Sequence, residues 1–186
     1  MSWFQEVPTR SLEMIEALGI HTDDPVIDVG GGASTLTDRL VEKGFGDITV
    51  LDVAAEALDA SRRRLDGTAA VTWLHDDVLS WEPRRRFGLW HDRAVFHFLT
   101  DESDRARYLT TLASALRCAG ALVLATFAAD GPERCSGLPV ARYSAAELSE
   151  AIGPSFEVVR QGRERHATPS GAVQPFVWLA ARRRSD

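Results

Sequence analysis

Long apolar runs, paired cysteines and an excess of positive charge are all missing from this sequence. No stretch reaches the ~18 consecutive apolar residues that a membrane-crossing helix needs, and no basic region followed by an apolar run stands at the N-terminus. Neither a membrane partner nor secretion is expected. The two cysteines, Cys118 and Cys135, are too few for a disulfide framework and lack paired metal-ligand spacing, so a cytoplasmic setting is expected and a metal is not. Lys and Arg number 21 against 27 Asp and Glu, a formal net charge of -6. That balance offers no chain-wide attraction for a phosphate backbone, and nucleic acid is not an expected partner. The basic triplets at 62–64, 84–86 and 182–184 fall at a helix end, a loop and the terminal region, and read as solvated surface. Internal repeats and low-complexity segments are also lacking.

What is present is an ordinary globular composition, 45% hydrophobic and 26% charged over 186 residues, a length that suits one domain spanning 1–186. Apolar runs alternate with helix-like segments from Pro25 to about Ala128, the pattern of repeated βα units in a parallel sheet. Strands are predicted over 25–30, 47–52, 71–75, 87–91 and 121–125, with helices over 35–43 and 55–65 and another bearing Tyr108, Leu109, Leu112 and Leu116. A long Gly- and Pro-rich loop covers 129–142, and Ser144 caps a short helix ending near Ile152. The last two apolar runs, 156–160 and 173–179, have no helix between them and form an antiparallel hairpin. The expected fold is therefore α/β: a doubly wound, Rossmann-like sheet of seven strands, mostly parallel, with a C-terminal antiparallel hairpin. A nicotinamide-binding domain would instead reach its sixth strand through another crossover helix, and would carry a glycine where this chain has Thr35.

The glycines of Asp28-Val-Gly30-Gly31-Gly32 stand where the backbone turns sharply from strand to helix and where a ligand can approach it. An ordinary tight turn would use them too. Asp52 ends the second strand, placed to accept both hydroxyl hydrogens of a ribose, and Val53 follows it. Asp77 follows the third strand, where its carboxylate can meet an adenine amino group while the Val78 amide approaches a ring nitrogen. Each acid alone can be a helix N-cap. Three acids at successive strand ends are harder to account for as caps.

Together these residues resemble the motifs of class I S-adenosylmethionine-dependent methyltransferases, over roughly residues 25–180. The resemblance implies S-adenosyl-L-methionine as cofactor, with Asp28 near its methionine ammonium, Gly30, Gly31 and Gly32 beside its methionyl part, Asp52 on its ribose and Asp77 with Val78 on its adenine. The end of the fourth strand, Trp90-His91-Asp92-Arg93, should border the transferable methyl. It is similar to the corresponding stretch of thiopurine S-methyltransferases, and the loop with Gly131-Pro132 and Pro139-Val140-x-x-Tyr143 is broadly similar to a loop of that group and of thiol and halide methyltransferases. This second resemblance implies a small nucleophilic acceptor, a thiol or a related molecule. Two other readings stay open: a protein lysine methyltransferase, and a non-catalytic cofactor-binding module.

His97 and Asp92 are the candidate catalytic bases, since an imidazole near the methyl can take a proton at neutral pH, and Arg93 is the candidate partner of an anionic acceptor. His91 is a candidate cofactor contact, though a lone histidine is commonly structural. Cys135 and Tyr143 are expected to face the acceptor, with a small loop residue as the plainer reading of Cys135. Trp3 and Phe4 precede a helix over about 9–18. They either close over the acceptor as part of an N-terminal lid within 1–20 or fasten that helix to the sheet.

Overall fold

The computed structural model describes residues 5–168 and 171–185. Helix α1 (Thr9–Ala17) precedes strand β1 (Val26–Val29), α2 (Leu36–Glu42), β2 (Ile48–Asp52), α3 (Ala55–Arg64), β3 (Val71–His75) and β4 (Phe87–Arg93). A 3-10 turn at Phe96–Phe98 leads to α4 (Glu102–Ala115) and β5 (Leu116–Phe127). The short pair β6 (Arg134–Cys135) and β7 (Leu138–Pro139), then α5 (Ala145–Ile152), β8 (Phe156–Ala167) and β9 (Val173–Arg183), complete the order.

Seven strands form one sheet in the order β3-β2-β1-β4-β5-β9-β8. The first five run parallel and β9 and β8 antiparallel, as the alternation of apolar runs and helices predicts. The strand order reverses between β1 and β4, and an open α/β sheet leaves a crevice at such a reversal, beyond the carboxyl ends of its strands. Strands β1 and β4 are buried almost end to end, with β5 buried from Gly120 onward, because helices cover both sheet faces. One apolar layer joins Trp90, Leu122 and Leu179 to Leu112 of α4 and Leu148 of α5. The other joins Leu89, Val123 and Trp178 to Met14 of α1 and Leu40 of α2.

Ser144 caps α5 with a full capping box: its hydroxyl accepts from the Glu147 amide at 3.2 Å, and the Glu147 carboxylate accepts from the Ser144 amide at 2.7 Å. Two elements depart from the sequence reading. The hairpin strands run on to Ala167 and Arg183, with a register shift between Val158 and Arg160. The loop over 129–142 carries the β6–β7 ribbon, whose two turn residues, Ser136 (φ 50°) and Gly137 (φ 82°), both adopt the left-handed backbone that a tight two-residue hairpin needs.

Candidate active site

A cavity of about 450 Å³ lies at the strand reversal, within the size range of small-molecule sites. Its walls come from the ends of β1, β2 and β4, the segment after β3, helix α1 and the β6–β7 ribbon. The structure brings together Asp28, Gly30, Gly31, Asp52, Val53, Asp77, Val78, His91, Arg93 and Cys135 on this lining, although they are scattered over most of the chain.

The glycine turn is shaped by what stands behind it. Gly30 has φ +70°, and a Cβ there would run into Val95. On Gly31 a Cβ would lie 2.6 Å from Cγ of Asp28, and on Gly32 it would lie 3.2 Å from Cγ of Asp52 and 3.0 Å from Cβ of Ala57. Side chains at 31 and 32 would thus displace the two carboxylates that the turn carries. Gly32 itself is absent from the lining, and its part is to leave room for Asp52.

Asp28, 2% exposed, has its Oδ1 2.7 Å from Nδ1 of His91. Its Oδ2 is buried and has no hydrogen-bond partner among the described residues. A buried carboxylate oxygen without a donor is costly, and an ammonium entering the cavity would relieve it. The Ala54 amide donates to Oδ1 of Asp52 at 2.8 Å. Burial raises the Asp52 pKa, Asp28 nearby raises it further, and the backbone amides pull it down. Asp77 accepts from the Leu79 amide at 2.9 Å, and the neighbouring Asp76 accepts from the Asp77 amide at 2.8 Å. Asp52 and Asp77 both bind local backbone in turns and face the cavity, but neither is a helix N-cap: Ala54 starts α3 without a side-chain cap bond, and among the described residues no helix stands between β3 and β4. Val53 is 64% exposed although apolar, and with Val78 it puts aliphatic surface on the lining.

The pleat of β4 divides the predicted methyl-facing residues. Successive side chains of a strand point to opposite faces, so His91 and Arg93 meet the cavity while Trp90 and Asp92 turn to the α4 side. Asp92 is fully buried and is absent from the lining. It accepts from Tyr108 Oη at 2.6 Å and from the Val95 and Phe96 amides at 2.8 and 3.1 Å, while Tyr108 Oη accepts from Trp90 Nε1 at 2.9 Å. Burial raises the Asp92 pKa to about 6 against the pull of those donors. Arg93 stands over the Phe176 ring with its Cζ 4.8 Å from the centroid. Burial lowers its pKa, with Glu164 and Cys135 opposing that shift.

His97 also lies off the lining. Fully buried, it packs against Phe98 and Phe127, each with centroids 4.6 Å apart, and its Nδ1 accepts from the Phe127 amide at 3.4 Å. Burial, with the Arg93 charge adding, lowers its pKa to about 3, so the ring is a poor proton acceptor near neutral pH. Tyr143 likewise sits in the apolar layer, 5.7 Å from Phe96 between ring centroids. Cys135 is buried on the lining, and burial pushes its thiol up, away from thiolate character, whereas Cys118 is exposed. Trp3 and Phe4 lie outside the described residues.

Sequence reasoning missed Ser11 of α1, which reaches the lining and lies 3.0 Å through its Oγ from Nε2 of His91. It also missed Ser136 and Leu138 of the β6–β7 ribbon. The Ser-Gly pair at 136 and 137 was the available signal for the ribbon. No helix among the described residues is long and apolar enough to cross a membrane.

Residues 26–120 match the family model described as "Methyltransferase domain". A trans-aconitate 2-methyltransferase of Rhizobium etli is 38% identical over 79 residues, which are 42% of this chain and 30% of that protein. The chain thus spans less than a third of that relative's length. Among solved structures, the 1,6-didemethyltoxoflavin-N1-methyltransferase of Burkholderia thailandensis, solved with 1,6-didemethyltoxoflavin and S-adenosylhomocysteine, is 21% identical with a TM-score of 0.75, covering 96% of this chain and 78% of that one. The N-methyltransferase NodS of Bradyrhizobium japonicum, in complex with S-adenosylhomocysteine, is 16% identical with a TM-score of 0.77, covering 97% and 90%. At these identities the likeness is one of fold.

Proposed function

This chain belongs to the class I S-adenosylmethionine-dependent methyltransferases, and from that premise we propose that it methylates a small acceptor bearing a negative charge, a carboxylate or a thiolate. The observation that carries the reading is Arg93. It is the cation that β4 sets on the cavity wall, where the strand order leaves room for an acceptor next to the cofactor. The Rhizobium etli relative is named for trans-aconitate, a polycarboxylate, which supports the same class.

The lining fits S-adenosylmethionine. The Oδ2 of Asp28, without a hydrogen-bond partner among the described residues, suits the methionine ammonium, the Gly30 and Gly31 backbone leaves space for the methionyl part, and Gly32 leaves Asp52 room to accept from the ribose hydroxyls. Val53, Asp77 and Val78 frame the adenine, and His91 acts behind Asp28. The bound cofactor supplies an electrophilic methyl carbon on a sulfonium.

The protein's own contribution is placement and dryness. Arg93 neutralises and orients the acceptor, and the walls from α1 and from Cys135, Ser136 and Leu138 exclude water, so that the attacking atom is held in line with the methyl. Asp28, Asp52 and Asp77 would hold the cofactor, which supplies the methyl and keeps the departing electron pair on its sulfur. A carboxylic acid has lost its proton near neutral pH, and a thiol is ionised there to a few per cent. The placing of Asp92 and His97 off the cavity therefore supports an acceptor that needs no base.

Incubation with S-adenosylmethionine and panels of small carboxylates, thiols and amines, alongside a protein lysate, tests this by mass spectrometry of the products. Methyl esters or thioethers are expected, lost in Arg93→Ala. Methylation confined to protein lysines, or S-adenosylhomocysteine binding without any product, would overturn it in favour of a lysine methyltransferase or a non-catalytic module.

A further inference from the structure

Asp28 and His91 are register partners on adjacent parallel strands, so their side chains rise side by side from the same sheet face. The imidazole bridges two elements. Its Nδ1 lies 2.7 Å from Oδ1 of Asp28, and its Nε2 lies 3.0 Å from the hydroxyl of Ser11 on α1. The three residues are 2%, 2% and 1% exposed.

Chemistry restricts how such a row can be wired. A neutral imidazole has one N–H and one lone pair. Ionised Asp28 can only accept, so Nδ1 must carry the hydrogen that it receives, which leaves Nε2 to accept from the Ser11 hydroxyl. Asp28 thereby fixes the tautomer, Ser11 holds the ring from its far nitrogen, and the ring ties up one carboxylate oxygen and leaves Oδ2 facing the Gly31 turn. Helix α1 is itself anchored, since Arg10 donates to the Arg163 carbonyl of β8 at 2.9 Å and Arg182 of β9 donates to the Leu18 carbonyl just past its end.

We propose that Ser11 and His91 are positioning residues for the cofactor: through this buried row, α1 holds Asp28 with one oxygen presented to the methionine ammonium of S-adenosylmethionine. The inference rests on the functional reading above, yet it concerns only the amino-acid end of the cofactor. That restriction makes it separable from general damage to the cavity.

The experiment compares two ligands by calorimetric titration: S-adenosylhomocysteine, which carries the ammonium, and 5′-methylthioadenosine, which has the same nucleoside without it. In His91→Leu, which removes both hydrogen bonds, S-adenosylhomocysteine affinity is expected to fall roughly tenfold to a hundredfold, the worth of one charge-assisted bond, while methylthioadenosine affinity holds. His91→Asn, whose amide can stand where Nδ1 stood, should regain much of the loss. Ser11→Ala serves as an independent break should the leucine variant fold poorly, and should show the same ligand selectivity at several-fold size. In the wild-type protein, the ¹⁵N resonances of His91 should report hydrogen on Nδ1 and a lone pair on Nε2. Equal losses for both ligands, or none for either, would make the row a packing device and overturn the proposal. A wild-type protein that binds neither ligand would instead overturn the functional reading on which it rests.

Discussion

Replacing Asp92 by Asn should make stability less sensitive to pH, and the sign follows from the burial of that carboxyl. Its folded-state pKa is raised to about 6, whereas an unfolded chain titrates aspartate near 3.9. A raised carboxyl favours the native state only while protonated, so its contribution is fully present below about 4 and lost as pH rises through about 6. At about 1.4 kcal/mol per pKa unit, the wild type should lose roughly 3 kcal/mol from this group between pH 4 and pH 7.5. The substituted amide cannot ionise, and its carbonyl can still accept from the Val95 or Phe96 amide that now meets Asp92. Urea unfolding of both proteins at half-unit intervals from pH 4 to 7.5 reads the difference. Relative to wild type, D92N should gain about 2 to 3 kcal/mol across that window, whatever fixed cost the lost Tyr108 bond imposes. A difference that stays constant with pH would refute the reasoning, because Asp92 would then titrate as it does in the unfolded chain.

Asp52→Asn should weaken S-adenosylhomocysteine binding by one charged hydrogen bond, roughly tenfold to a hundredfold by calorimetry, with little change in thermal midpoint. Gly31→Ala should cost at least about tenfold in the same titration, because its Cβ would push into the Asp28 carboxylate, an off-rotamer displacement of order 1 kcal/mol added to the lost contact. His97→Asn should lower thermal stability while leaving the pH profile of turnover between 6 and 9 unchanged, since a ring whose pKa is held near 3 does not titrate there. A shifted profile would return His97 to the reacting centre.

The strands, their order of appearance and the acids at their ends were legible because each is a local feature: a run of apolar residues, a glycine turn, a carboxylate where a strand stops. The division of β4 was not. Its residues are buried on both faces, so the alternation that reveals a half-exposed strand is erased, and the sequence alone offered Asp92 and Arg93 as neighbours in one site. Strand geometry forbids that pairing: its period of two sets His91 with Arg93 on one face and Trp90 with Asp92 on the other. Ser11 lay further out of reach, because its meeting with His91 depends on how α1 crosses the sheet. Nothing in the nearby sequence reports that angle.

The anchoring of α1 bears on the order in which the molecule assembles. Its hydrogen bonds join residues 153 and 164 positions apart, to β8 and to β9, and the bond from Ser11 to His91 closes a loop of 80. Contacts between such distant segments repay their loop-closure entropy only after the intervening chain is ordered. Helix α1 is therefore made early in synthesis and seated late. Its seating is expected to wait for the β8–β9 hairpin to pair with β5. The same long loops predict that amide exchange in α1 outpaces that in β1 and β4 and slows when S-adenosylhomocysteine is bound.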